Sequence, residues 1–369
     1  VKTLFEPKDP AVAKELARKV IGLADRCREK TGTVPAFMEV CGSHTMALAK
    51  TGVKLILQGH VNLISGPGCP VCVTDQKQID AMIEVAESDD RIVCTFGDMM
   101  RVPGSKRTLM SAKTEGRDVR IVYSPIDAVK IAEENPDREV VFLGVGFETT
   151  VPVLAAAIQL AAQKQLKNFS MWATTKLVRP VLRTLLTVKK VKINGFLLPG
   201  HVSIVLGGNA YQFLVDDFRM PGVISGFEPV EMLSAIYKLL KMVYEDKPEI
   251  MNNYKSVVRS KGNPVAQKLM NEFFQPCDEA WRGIGVIPQS GLRIRDKYAA
   301  FDARKKFSIE VGEPKKTLCR CGDMICGLAS PEQCLLFGKA CTPLHPVGPC
   351  MVSTEGSCAA HYAYMRKEG

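Results

Sequence analysis

Residues 36–50 read AFMEVCGSHTMALAK, and this stretch decides the fold class. Residues 36–40 form an apolar run of strand length, CGSHT supplies the small and polar residues of a loop, and the following residues through Lys50 continue as a helix. The same unit recurs. Residues 61–65 read as a second strand that opens through GPGCPVC into a helix near 74–87, and residues 91–96 and 119–123 read as two more strands. The pattern restarts at the strand 140–143, with GVGFETT as its loop and an alanine-rich helix over 152–165. Strands at 169–173, at 195–198 ending in PGHVS, and at 222–225 precede a helix over 229–244. Alternation of this kind predicts an α/β protein: two similar parallel-sheet α/β domains over residues 33–125 and 126–228. Residues 1–32 and 229–369 are expected to form a third, mainly helical and cysteine-rich domain.

The chain has 369 residues, 46% of them hydrophobic, enough apolar material for two or three cores. No segment approaches the roughly 18 uninterrupted apolar residues of a membrane span, and the start, VKTLFEPKDP, has no apolar leader region. A cytoplasmic protein without membrane contact is expected. In that compartment thiols stay reduced, so thirteen cysteines point to metal binding or catalysis instead of a disulfide framework. The net charge of +10 comes from scattered lysines and arginines without interleaved aromatics, which argues against nucleic acid and leaves room for acidic protein partners. Neither GVGF nor GPG continues into a dinucleotide fingerprint or a P-loop.

In open parallel sheets the functional crevice lies at the carboxyl ends of the strands. Cys41, His44, Cys69, Cys72, Glu148 and His201 all fall on loops of that kind. A thiol there meets backbone N–H groups and the positive end of a helix, which favours thiolate. GPGCPVC contains a C-x-x-C, whose spacing suits a dithiol–disulfide couple or half of a zinc site that Cys41 and His44 would complete. Inert thiols are the third reading, and the glycine-bounded loops argue for access. Glu148 and His201 are candidates for acid–base or hydrogen-bonding work facing the same cleft, or for fixing their own loops. Thr149 and Thr150 are expected to cap the helix that follows them, in preference to acting as a catalytic pair. Cys27 and Cys277 have no neighbouring ligands in sequence and read as packing thiols, and Cys94 sits mid-strand.

Seven of the thirteen cysteines lie in the last 51 residues. Cys319 and Cys334 are separated by fourteen residues, Cys334 and Cys341 by six, and Cys341 and Cys358 by sixteen. Cubane iron–sulfur clusters take four thiolates, but spacing alone does not choose four ligands from seven cysteines, and one or two zinc sites fit the count as well.

Five strings, MEVCGSHT (38–45), GPGCPVCV (66–73), GFETT (146–150), LPGHVS (198–203) and CRCGD with CTPLHPVGPCMVSTEGSCAA (319–323 and 341–360), occur in order over nearly the whole chain. Together they resemble the HypD family of hydrogenase maturation factors. The resemblance implies two α/β domains plus a third that carries a [4Fe-4S] cluster on Cys319, Cys334, Cys341 and Cys358. It also implies a complex with the small chaperone HypC, on which the Fe(CN)₂CO unit of [NiFe]-hydrogenase is built, and cyanide delivery by HypE.

Within that frame Cys41 is the expected ligand to the iron of Fe(CN)₂CO, since low-spin iron with strong-field ligands suits a soft thiolate. His44 is a proton donor or a partner of Cys41. Cys69 and Cys72 become the local redox pair. The resemblance places a second pair, Cys321 and Cys350, beside the cluster as a disulfide in the manner of ferredoxin:thioredoxin reductase, with Cys326 a spare thiol. The expected role is a redox-active assembly scaffold. A free-standing Fe–S thiol–disulfide reductase is the alternative, and a zinc-stabilised binding module is a third.

Overall fold

A computed structural model describes residues 10–188 and 191–366; the opening VKTLFEPKD and Lys189–Lys190 lie outside the described residues. Eleven strands are found among them: β1 (Ala36–Glu39), β2 (Asn62–Ser65), β3 (Arg91–Thr95), β4 (Val119–Ile121), β5 (Glu139–Gly146), β6 (Phe169–Lys176), β7 (Gly195–Pro199), β8 (Gly222–Ser225), β9 (Ile250–Asn252), β10 (Phe274–Trp281) and β11 (Gly285–Ile294). They form two sheets. The first runs β2-β1-β7-β8-β9 and is parallel throughout. The second runs β10-β11-β6-β5-β3-β4; its last four strands are parallel, and β11 joins β6 and β10 antiparallel.

The central strands are buried on both faces, and the two-residue alternation of a strand sorts their side chains between cores. Met38, Phe196, Leu198 and Ile224 of the first sheet and Val93, Val141, Leu143 and Val145 of the second enter one shared core. Their neighbours point outward. Phe37, Leu197 and Val223 pack with the helices Pro10–Thr31 and Pro229–Glu245. On the second sheet Ile92, Cys94, Val140 and Phe142 meet Leu154 and Ile158 of the helix Val151–Gln163.

The expected boundaries at residues 125 and 228 do not coincide with these sheets. Residues 33–125 contribute β1 and β2 to one sheet and β3 and β4 to the other, and β7 and β8 return to the first. Hydrophobic periodicity marks a strand but not its partner, and pairing here follows long-range burial. The C-terminal part also holds more than helices. β9 extends the first sheet, and the hairpin β10–β11 extends the second. Pro276, Cys277, Asp278 and Glu279 made the first half of that hairpin unreadable as a strand, because Pro, Asp and Glu are depleted in strands.

Among the described residues no helix is long and apolar enough to cross a membrane. Cys27 is buried in its helix with Sγ 3.4 Å from Leu240 O, and Cys277 is half-buried on β10. Thr150 does precede the helix Val151–Gln163, but its backbone is already helical and its hydroxyl caps nothing.

Candidate functional site

Because β1, β2, β7 and β8 run parallel, their carboxyl ends lie side by side. β1 ends at Glu39 and leads through Val40 to Cys41, the residue before the helix Gly42–Lys50. β2 leads into GPGCPVC, which folds back along the same edge: Gly66 N–H donates to Glu39 O (2.9 Å) and Gly42 N–H to Gly68 O (3.1 Å). A Cβ on Gly68 would overlap the backbone N, Cα and C of Cys41, so glycine is required for the two thiol loops to touch. Gly68→Ala is therefore expected to cost about 1–3 kcal/mol, because no rotamer change relieves a clash with backbone. An unaltered midpoint in denaturant unfolding would contradict this packing.

Cys41 is 8% exposed, Cys69 4% and Cys72 2%. The access expected of three glycine-bounded thiols is not what the fold provides. Nor is the thiolate favoured. Burial pushes the Cys41 thiol up to about 11, the Glu355 carboxylate adds to the rise, and the amides of His44 and Ser43 oppose it only in part. A metal binding at this sulfur must displace a proton.

His44 is fully buried in the first turn of its helix. Its Nε2 lies 3.0 Å from Gly226 O and 3.2 Å from Ser225 O, both acceptors, so Nε2 carries the hydrogen and Nδ1 keeps a lone pair. Nδ1 is buried with no hydrogen-bond partner among the described residues, as is Ser225 Oγ. Burial lowers the His44 pKa to about 4, so the ring is neutral at physiological pH. Phe227 lies between two imidazoles, 4.7 Å from the His44 ring and stacked at 4.2 Å on His201. His201, expected on a loop, is instead exposed in the first turn of the helix Gly200–Leu206 that follows β7 directly; it also feels the Glu355 carboxylate, so Cys41, His44, His201 and Glu355 share one edge of the sheet.

Glu148 follows β5 of the other sheet. Its Oε1 accepts the Val178 N–H at 2.8 Å, while Oε2 is buried without a partner among the described residues. Burial raises its pKa to about 7. The hydrogen bond fixes the start of the helix Val178–Thr187, and the unpaired oxygen is the one free to take a proton. Tyr211 is fully buried and hydrogen-bonded to Ser203 Oγ (3.2 Å); burial opposes its ionisation, and charges on Glu148 and Cys41 would add to that. Because the folded protein holds the Glu148 proton more tightly than the unfolded chain, its contribution to stability is complete below about pH 4.5 and is lost as pH rises through about 7. Relative to Glu148→Gln, the wild type is expected to lose about 3 kcal/mol across that interval. Parallel unfolding curves at both ends of the range would contradict it.

The structure joins Cys69 to Cys72 and Cys321 to Cys350 as disulfides, with Cα separations of 5.2 Å and 6.2 Å. The notional zinc set of Cys41, His44, Cys69 and Cys72 is thus not assembled: two of its thiols are bonded to each other and His44 faces carbonyls. The two disulfides are neighbours, since Cys72 Sγ lies 3.9 Å from the carbonyl of Pro349, the residue preceding Cys350.

Cys319, Cys334, Cys341 and Cys358 line one recess together with Cys321, Cys350 and Gly348. A Cβ on Gly348 would overlap Cys319 Sγ. The sulfurs are near enough that a charge on any of Cys319, Cys334 or Cys341 raises the Cys358 pKa, with burial the larger cause. Val347 N–H donates to Cys341 Sγ at 3.3 Å, and the Cys321 amide supports a charge on Cys319. Among the described residues no three His, Cys, Asp or Glu side chains converge as a single metal ion demands. Four sulfurs spread around a recess suit a multi-iron body that takes one thiolate per iron better than tetrahedral zinc.

Comparison with known proteins decides the family. The HypD family model, described as "Hydrogenase formation hypA family", matches residues 12–365. The chain is 43% identical over 375 residues to a hydrogenase maturation factor HypD of Rhizobium leguminosarum bv. viciae, covering 99% of this chain and 96% of that one. It is 44% identical to the HypD of Escherichia coli K12 over 339 residues, 90% of this chain and 89% of the relative. The chain belongs to the HypD family of hydrogenase maturation factors. The HypD of Azotobacter vinelandii is 40% identical over 375 residues, 100% of this chain and 98% of its own. An arginine decarboxylase from Campylobacter jejuni, 14% identical over 66% of this chain and 43% of its own with a TM-score of 0.14, has no bearing on the fold.

Within this HypD-family fold, sequence reasoning passed over Glu355 and Tyr211. Glu355 reaches the site from the C-terminal segment: its carboxylate accepts from Ser43 Oγ, and its Cβ and carbonyl occupy the space a side chain on Gly42 would need. The pairing of a glycine in CGSHT with a glutamate in STEG carried no local signal, because 312 residues separate Ser43 from Glu355.

Proposed function

We propose that this chain is the redox-active scaffold on which the Fe(CN)₂CO unit of [NiFe]-hydrogenase is assembled, together with a HypC-type chaperone and a HypE-type cyanide donor. The observation that carries the proposal is a contiguous series of sulfurs. Gly68 seats the Cys69–Cys72 loop on the Cys41 backbone, Cys72 meets Pro349, Cys350 is bonded to Cys321, and both belong to the four-cysteine recess. A [4Fe-4S] cluster held by Cys319, Cys334, Cys341 and Cys358 would supply electrons there.

Cys41 is the residue that binds the substrate iron. Its thiol must shed a proton to do so, and the amides of Ser43 and His44 then stabilise the bound sulfur. His44, neutral and anchored through Nε2, presents the Nδ1 lone pair as an acceptor and brings no charge to the site. Cys69 and Cys72 interconvert between disulfide and dithiol, taking up or releasing two electrons and two protons beside the iron. Glu148, with its pKa raised by burial to about 7, can gain or lose a proton near neutral pH.

The reductase alternative needs a disulfide that other proteins can reach, and at 4% and 2% exposure Cys69 and Cys72 are closed to a protein-sized partner. The test is complementation. In cells lacking their own HypD-family protein, the wild-type chain should restore [NiFe]-hydrogenase activity and Cys41→Ala should not. Full restoration by Cys41→Ala would refute the assignment.

A further inference from the structure

Exposed leucines are ordinary singly and informative when they gather. Among the described residues the three most exposed leucines are Leu344 (84%), Leu335 (82%) and Leu318 (78%). All three belong to the segments that carry the four-cysteine recess. Leu318 directly precedes Cys319 and Leu335 directly follows Cys334, so each stands one Cα step, about 3.8 Å, from a recess residue. Leu344 lies in the turn after Cys341, closed by Thr342 N–H on His345 O (3.2 Å) and His345 N–H on Thr342 O (3.1 Å). The recess is itself near the surface, since Cys319, Cys334 and Cys358 are only partly buried.

The leucines share this rim with cations that no acid neutralises. Lys316 and Lys339, which precede Cys319 and Cys341 by three and two residues, are exposed and make no ion pair among the described residues. Arg101 reaches the turn of Leu344 from another part of the chain, and its Nη1 donates to the neutral carbonyl of Pro343 at 3.2 Å. The acids of these segments are already committed, Asp323 to Arg320 at 2.8 Å and Glu332 to His361 at 3.1 Å. Exposed apolar side chains bordered by unpaired positive charge suit a protein partner of opposite charge, because leucine needs an apolar complement and the charges steer the encounter.

We propose that the leucine- and lysine-bearing rim of the four-cysteine recess is the docking surface for a small acidic protein that carries one electron at a time. The inference rests on the assignment of the recess to a [4Fe-4S] cluster. Converting the Cys69–Cys72 disulfide to the dithiol breaks one S–S bond and takes up two electrons and two protons. A cubane cluster passes electrons singly, so two successive encounters, each oxidising one carrier by one electron, supply the pair, and water supplies the protons. The carrier cannot deliver to the disulfide directly, because Cys69 and Cys72 are closed to a protein-sized partner. The partly exposed recess is the open end of the sulfur series.

The experiment uses an acidic [2Fe-2S] ferredoxin as the probe. Wild type and Lys316→Glu/Lys339→Glu are purified anaerobically, their iron content is compared, and affinity for oxidised ferredoxin is read by calorimetry at low and at high salt. The iron-replete double variant should bind at least about tenfold more weakly at low salt, and the difference should shrink at high salt as the charges are screened. Lys316→Gln/Lys339→Gln, which removes charge without adding any, should show a smaller loss in the same direction and serves where the glutamates disturb iron loading. Reduction of the double variant's cluster by reduced ferredoxin, followed in the visible spectrum, should slow in step, while reduction by a cationic viologen radical, which needs no docking surface, should not. An iron-loaded wild type that does not bind ferredoxin overturns the docking surface, and so does equal affinity in wild type and charge variants. A wild type with no iron chromophore overturns the cluster assignment instead.

Discussion

Cys334→Ser should leave the purified protein colourless and free of iron, while Cys277→Ser should keep both colour and metal. The recess explains the contrast. Cys334 is one of four sulfurs lining it; Cys358 stands in the first turn of the helix Ser357–Tyr364, while Cys319, Cys334 and Cys341 come from outside the named helices and strands. Loss of one thiolate from a set of four removes a bond that serine replaces poorly, because a soft sulfur donor is exchanged for a hard hydroxyl. Cys277, by contrast, is on β10 in the second sheet and does not line the recess. The measurements are iron content and the visible spectrum after anaerobic purification. Wild-type iron in Cys334→Ser, or zinc in its place in the native chain, would exclude the cluster.

Cys69→Ser should keep the iron colour and lose hydrogenase maturation by at least about tenfold, since a two-electron couple cannot operate on one thiol. Cys69 caps the four-residue helix Pro70–Val73 that contains Cys72, and Cys72 N–H donates to Cys69 Sγ at 3.2 Å, so serine can replace the cap and preserve the backbone. The effect should therefore fall on electron transfer and not on folding. Parallel assays of thermal unfolding and maturation separate the two. Normal maturation by Cys69→Ser would remove the dithiol from the mechanism.

Much of the α/β frame is legible from local pattern. The strand expected at 222–225 is β8 without adjustment, and the others are displaced at their ends by a few residues, as at 140–143 against Glu139–Gly146. The parallel order brings the segments of Cys41, Cys69 and His201 to one edge because strands of one direction share one carboxyl end. Sheet membership was not legible, because the choice between two nearly equivalent apolar strands is made by burial in a core that Met38 and Val141 share across 103 residues of sequence.

The protonation of Cys41 was misread for a related reason. Helix position alone favours thiolate, but burial and the carboxylate of Glu355 outweigh the amides of Ser43 and His44. Neither opposing influence is visible within the motif CGSHT.

The central claim is that Cys41 holds the iron of an Fe(CN)₂CO unit, and infrared spectroscopy of the complex with the small HypC-type partner tests it most directly. Anaerobically purified from maturation-competent cells, the wild-type complex should show cyanide and carbonyl stretching bands, and the Cys41→Ala complex should lack them while retaining the iron of the four-cysteine recess. Undiminished bands in Cys41→Ala, or none in the wild-type complex, would contradict it.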